Sequence, residues 1–175
     1  MSMYLDIKQP IIEGESKGTA AHADWNQKIE IQHMGFHVSQ TTSQQAGSGL
    51  SSSGSKVSHL QISKAMDKST PKLFGHLAAG TPLDIMFIRV SKPGKAKASA
   101  TDDGLFEGET YEMHNIIVSS YSTSGSPGPG GLPMEEWSFS FNWINESYQT
   151  TDNKGVLVKP GVAVAGFDFG VSSPV

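Results

Sequence analysis

Few residues of this chain could do chemistry, and their spacing rarely supports it. Ser69-Thr70-Pro71-Lys72 fits the S-x-x-K pattern at a helix start, where a lysine one turn away can activate a serine nucleophile. That chemistry also needs S-D-N and K-T-G elements, and the chain has neither. Ser69 or Thr70 therefore reads as a helix cap. Ser53–Lys56 fits the same pattern inside a serine-rich tract, where matches arise by chance. The histidines are His22, His33, His37, His59, His76 and His114. His33 and His37 are four apart, which aligns two metal ligands on a helix, but the surrounding alternation is that of a strand. They read as strand surface positions. Gly47-Ser48-Gly49 lacks the later glycine and the helix of a nucleotide loop, and Gly128-Pro129-Gly130-Gly131 is interrupted by proline. Lys92, Lys95 and Lys97 are balanced by Asp102, Asp103, Glu107 and Glu109, and read as a solvated loop. Asn145-Glu146-Ser147 is a glycosylation sequon by letter only. No nucleophile, base and orienting group assemble from these motifs. The expectation is a protein that is not an enzyme, with no catalytic, cofactor-binding or metal residues.

Composition narrows the classes further. The chain has 175 residues, enough to bury a core as one domain. Its formal charge is −4, so no basic field exists to hold nucleic acid. It has no cysteine, which removes disulfides, thiolate catalysis and cysteine-type zinc sites. The start, MSMYLDIKQP, lacks a basic segment followed by an apolar run, and no apolar stretch nears the roughly 20 residues of a membrane helix. The expectation is synthesis in the cytoplasm without a signal peptide, and no membrane insertion.

The elements that must position any functional surface are mostly strands. Nineteen glycines, nine prolines and abundant serine predict an all-β domain with many turns. In Val57–Lys64 the residues Ser58, Leu60, Ile62 and Lys64 share one face with an apolar centre. After the turn Asp67-Lys68-Ser69, Thr70 supplies an N-cap acceptor and Pro71 the first helical position of one short helix, about residues 71–79. Leu73, Phe74 and Leu77 fall at helical spacing and are expected in the core, and Gly80 can take the left-handed conformation that stops the helix. Glu136–Ile144 predicts one strand with Trp137, Phe139, Phe141 and Trp143 on the same side, each able to bury on the order of 150–250 Å². Pro82–Val90 is apolar on both sides, which predicts a strand covered on both faces, one of them by the helix. Between Ile29/Ile31 and Met34/Phe36/Val38 the alternation slips, predicting a bulge near His33. Thr41–Ser55, Ser91–Gly104 and Ser124–Pro133 read as loops. Residues 151–175 read as a tail after a 1–150 domain, with Val162–Val171 able to add one strand.

One stretch is more specific. Lys56–Gly80, KVSHLQISKAMDKSTPKLFGHLAAG, sets a strand, a turn and a "DKSTP" helix start in the order found in the Hcp family, the hemolysin-coregulated tail-tube proteins of bacterial type VI secretion systems. Gly14-Glu15-Ser16 resembles the family's "GES" element. Ile29–Ile31 and Val38-Ser39-Gln40 are similar to its second strand, MHNIIVSSYSTS at Met113–Ser124 to its "VLVSS" strand, and Trp137–Tyr148 to its late aromatic strand. The ordered series covers roughly residues 1–150.

The resemblance implies a β-barrel of two packed, mainly antiparallel sheets with one short helix on its side. It implies a structural, secreted subunit that forms homohexameric rings, stacks them into the inner tube, and carries small effectors in the lumen. Its partners would be itself, a spike, a contractile sheath and those effectors. A long loop at Thr41, Thr42, Ser43, Gln44, Gln45, Gly47, Ser48, Leu50, Ser51, Ser52, Ser53 and Ser55 would contact the next ring; the plain reading of the same residues is a flexible exposed loop. Outward strand positions lining the lumen would be small and polar, with Ser119, Ser138 and Ser140 as candidates. The alternative class is a monomeric β-sandwich binding module, for example for carbohydrate.

Overall fold

In this computed structural model the described residues are 2–18, 22–45, 49–94, 105–127, 129–152, 156–171 and 173–174. The strands are β1 (Met3–Gln9), β2 (Ile11–Ile12), β3 (Ile29–Ile31), β4 (His33–Gly35), β5 (Val38–Gln45), β6 (Gly49–Val57), β7 (Leu60–Ala65), β8 (Leu83–Pro93), β9 (Leu105–Pro127), β10 (Pro133–Ser140), β11 (Trp143–Thr151), β12 (Leu157–Asp168) and β13 (Ser173–Pro174). The helix α1 is Thr70–Ala79. All ladders are antiparallel.

The long strand β9 organises the molecule. Its first half pairs with β8 and β11, and its second half, from Ile117 on, pairs with β10. Asn115 sits at the change with φ 54, a left-handed conformation that asparagine tolerates better than most residues. The sheet therefore folds into two layers. The first runs β13-β12-β11-β9-β8-β1, with β2 and β3 beyond β1; the second runs β9-β10-β7-β4. Between them lies one core that takes Leu5, Ile29, Ile88 and Met113 from the first layer and Leu60, Ile62, Val118, Trp137 and Phe139 from the second. The all-β class, the two antiparallel layers and the single α-helix among the described residues are as expected. No ladder among the described residues closes them into a barrel.

The expected aromatic strand breaks where the chain changes layers. Glu136–Ser140 belongs to β10, Phe141 and Asn142 form a corner, and Trp143 opens β11 in the other layer. The Asn115 amide donates to Asn142 Oδ1 at 3.1 Å, pinning this corner to the bend of β9. The corner shifts the phase. Trp137, Phe139 and Phe141 are buried, but Ile144 then faces the core, while Trp143 is half-buried against His114. The slip near His33 is likewise a crossing and not a bulge: β3 pairs with β1, and β4 with β7.

Other expectations shift for similar reasons. Val57–Lys64 divides at Ser58 and His59, leaving β6 and β7 on either side. β8 buries Met86, Ile88 and Val90, while Ile85 and Phe87 are half-buried and Arg89 lies 5.2 Å over the Phe87 ring. The helix has its contacts with β9, not on the other face of β8. The Gly/Pro tract holds more ladder than expected, since β9 pairs with β10 as far as Ser124↔Met134 and Pro127↔Pro133. Residues 157–168 form β12, paired along most of β11 from Gln149 to Trp143. Most of the Ser91–Gly104 loop lies outside the described residues.

Gly14-Glu15-Ser16 has a clear physical reason. A Cβ on Gly14 would stand 2.3 Å from the Lys28 carbonyl oxygen, so only glycine fits this approach. Ser16 is buried; its Oγ donates to the Trp25 carbonyl at 2.6 Å and accepts the Lys28 N–H at 2.7 Å. Glu15 accepts the Lys68 N–H at 2.9 Å, tying this loop to the turn before α1.

Candidate functional site

Three features bear on function: the anchoring of α1, the outer face of the second layer, and the β5–β6 hairpin. The anchor begins with alternation on β7, which sends Lys64 inward together with Leu60 and Ile62, and its side chain is fully buried. A buried ammonium must be paired and hydrogen-bonded. Lys64 Nζ lies 2.9 Å from Glu135 Oε2 and 2.8 Å from Asp67 Oδ1, and donates to Thr70 Oγ1 and the Ala65 carbonyl at 3.1 Å each. Glu135, also fully buried, further accepts from Thr70 Oγ1 at 2.9 Å, Trp137 Nε1 at 3.1 Å and the Tyr121 hydroxyl at 3.3 Å. Burial is the main cause that raises the Tyr121 pKa, with the Glu135 charge next.

This cluster changes the roles expected of Ser69 and Thr70. The residue at the N-cap position, Ser69, makes no side-chain cap bond, and Thr70 is the first helical residue. Asp67 Oδ1 accepts the Ser69 N–H at 3.0 Å, and Thr70 Oγ1 accepts the Asp67 N–H at 3.3 Å. The two side chains thus reciprocate in the manner of a capping box, starting two residues before the N-cap position. Ser69 Oγ donates to Asp67, and Lys72 is exposed, so the S-x-x-K pair forms no dyad. Of the helix residues, Leu73 is fully buried, Leu77 packs against the core, and Pro71 is exposed. Phe74 is not core: it is 52% exposed, its ring edge-on to Tyr121. Gly80 takes φ 63 and its N–H reaches the His76 and Leu77 carbonyls, as expected of the stop.

The outer face of the second layer is small and polar in register. One row across it is His33, Ser63, Glu136 and Ser122; the next is Gly35, Gln61, Ser138 and Ser120. Ser140 lies on the same face at the end of β10. Ser119 lies in a bulge, its Oγ 3.2 Å from His59 Nδ1. The outer face of the first layer is different in kind. There Asp6 is surrounded by Lys8 and Lys28 at 2.8 Å each and Arg89 at 3.6 Å. Burial pushes the Asp6 carboxyl up, but the hydrogen bonds and charges of Lys28 and Lys8 outweigh it and leave the pKa lowered. Tyr4, Trp25 and His22 stack beside it.

Thr41–Ser55 is not a loop but most of a hairpin. β5 and β6 form their own two-stranded sheet, paired from Val38↔Val57 to Gln45↔Gly49 with a one-residue shift at Gly54. Thr41, Thr42, Ser43 and Ser51 are exposed, and Ser43 and Ser51 hydroxyls bond at 2.7 Å across the strands. Gln44, Gln45, Leu50, Ser52 and Ser53 are placed by backbone only; Ser55 is half-buried; Gly47 and Ser48 lie outside the described residues. A cavity of about 570 Å³ separates the hairpin base from the first layer, lined by Phe36, Val38, Ile144 and Phe167, with Glu146 among its polar groups. Burial foremost, then Glu109, raises the Glu146 pKa. His33 and His37 do not converge on a metal: among the described residues no three His, Asp or Glu side chains do. Among the described residues no helix is long and apolar enough to cross a membrane.

Sequence reasoning missed the Lys64–Glu135 pair. The only local signal was a lysine in phase with Leu60 and Ile62, and a glutamate in phase with Trp137 and Phe139.

This geometry has known counterparts. A structure described as that of a type six secretion system protein is similar with TM-score 0.83 at 20% identity, over 99% of this chain and 99% of that one. Hcp1 from Salmonella typhimurium is similar with TM-score 0.73 at 22% identity, over 99% and 98%. A type VI secretion system effector from Yersinia pestis has TM-score 0.66 at 22% identity, over 95% and 98%. At these identities the likeness shows the fold. No curated protein matches the chain. The family described as type VI secretion system effector, Hcp, matches residues 4–148, and the chain therefore belongs to the Hcp family of type VI secretion proteins.

Proposed function

We propose that this chain is the tail-tube subunit of a type VI secretion system: six copies close head to tail into a ring, rings stack into the inner tube, and the tube leaves the cell with small effectors in its lumen. The spike at the tip and the contractile sheath outside are its further partners, and its work is assembly, not turnover. The observation that carries the reading, beyond family membership, is the second layer. Its two edges, β4 and the second half of β9, have no further partner strand among the described residues. Unpaired edges invite association, and a head-to-tail contact between identical copies removes both at once when the rotation closes. The small polar face then lines the channel. Purification of the full chain with native mass determination tests this: six chains per particle supports it, and a monomer at high concentration overturns it.

The hairpin is assigned to ring stacking. Its exposed hydroxyls bring no charge to repel an identical surface. Replacing residues 41–55 with a tight turn is expected to leave the ring intact and abolish tubes in negative-stain images. Tubes of normal length from that variant would remove the hairpin from the mechanism.

A further inference from the structure

The outer face of the second layer carries an uneven charge pattern. Across its described rows there is no lysine or arginine, and Glu136 is the single fixed charge. His33 stands on the far side of Ser63 from Glu136, two strands away. Both line one shallow concavity, with Gln61, Ser63, Ser122 and Ser138. Strand spacing puts His33 and Glu136 roughly 10 Å apart, about one Debye length at moderate salt. Adjacent titratable groups are His37 and His59, which line the next concavity with Gly35 and Gln61, and His59 is bonded to Ser119.

Resting on the tube reading, we propose that Glu136 forms a sixfold carboxylate ring that selects cargo with a basic segment. A ring of carboxylates at close quarters favours cations over anions. The hydroxyl and amide groups around it supply hydrogen bonds without sequence demand.

The test uses the full-length ring and two fluorescent 20-residue peptides, one of Gly, Ser and Lys and one of Gly, Ser and Glu, followed by anisotropy at pH 8. The Lys peptide is expected to bind at pH 8, the Glu peptide at least tenfold more weakly. Glu136→Gln should weaken the Lys peptide about tenfold, while Glu30→Gln, on the first layer, should leave it unchanged. Equal loss in Glu30→Gln and Glu136→Gln, or equal binding of both peptides, would overturn the proposal. Native mass is measured for each variant: hexamers that fail to discriminate overturn this inference alone, and monomers overturn the tube reading itself.

Discussion

Glu135→Ala is expected to destabilise the fold by about 3–5 kcal/mol, because it leaves the Lys64 ammonium buried without its main counter-charge. The expectation follows from position. Both side chains are fully buried, and the carboxylate accepts from four donors on three strands and the helix start. Lys64→Met should cost a similar amount, now by stranding Glu135 and Asp67. The pair Lys64→Met with Glu135→Leu should cost well below the sum, since a buried pair replaced by apolar groups of like volume is often near neutral. Urea unfolding at fixed chain concentration reads all three. Additive losses in the double variant would mean that the two charges do not act as a pair.

Leu73→Asp is expected to cost about 4 kcal/mol or more, by placing an unpaired carboxylate where no water reaches. Leu73 is fully buried, beneath the first turns of α1 and against the core. Leu73→Ala separates the two causes: cavity formation alone costs about 2–5 kcal/mol, and the Asp variant should exceed it. Phe74→Asp is the contrast, since that ring is 52% exposed and its replacement should leave the subunit folded. A folded Leu73→Asp with near-normal stability would mean that the helix does not pack as described.

How much of this could be read from residues depends on whether a local pattern exists. Leu60 with Ile62, Trp137 with Phe139, and Gly80 behind a helix each declare their role within a few positions, because period and turn chemistry are local. Lys64 and Glu135 do not, because each owes its burial to a partner on a neighbouring strand. Trp143 was misplaced because alternation reads straight through a corner, whereas Asn115 and Asn142 turn the chain there and invert its phase. The hairpin was silent for another reason. A ribbon covered on neither face needs no apolar alternation, so Ser51, Ser52 and Ser53 pair as strand while reading as loop. The charge pattern of the second layer was invisible until register set His33 and Glu136 on either side of Ser63.

The most direct test of the central claim is the native mass of the purified full-length protein, with negative-stain images of the same sample. Six chains per particle and annular outlines with a central channel are the expected result. A clean monomer at high concentration would leave the two-layer fold standing and contradict the tube.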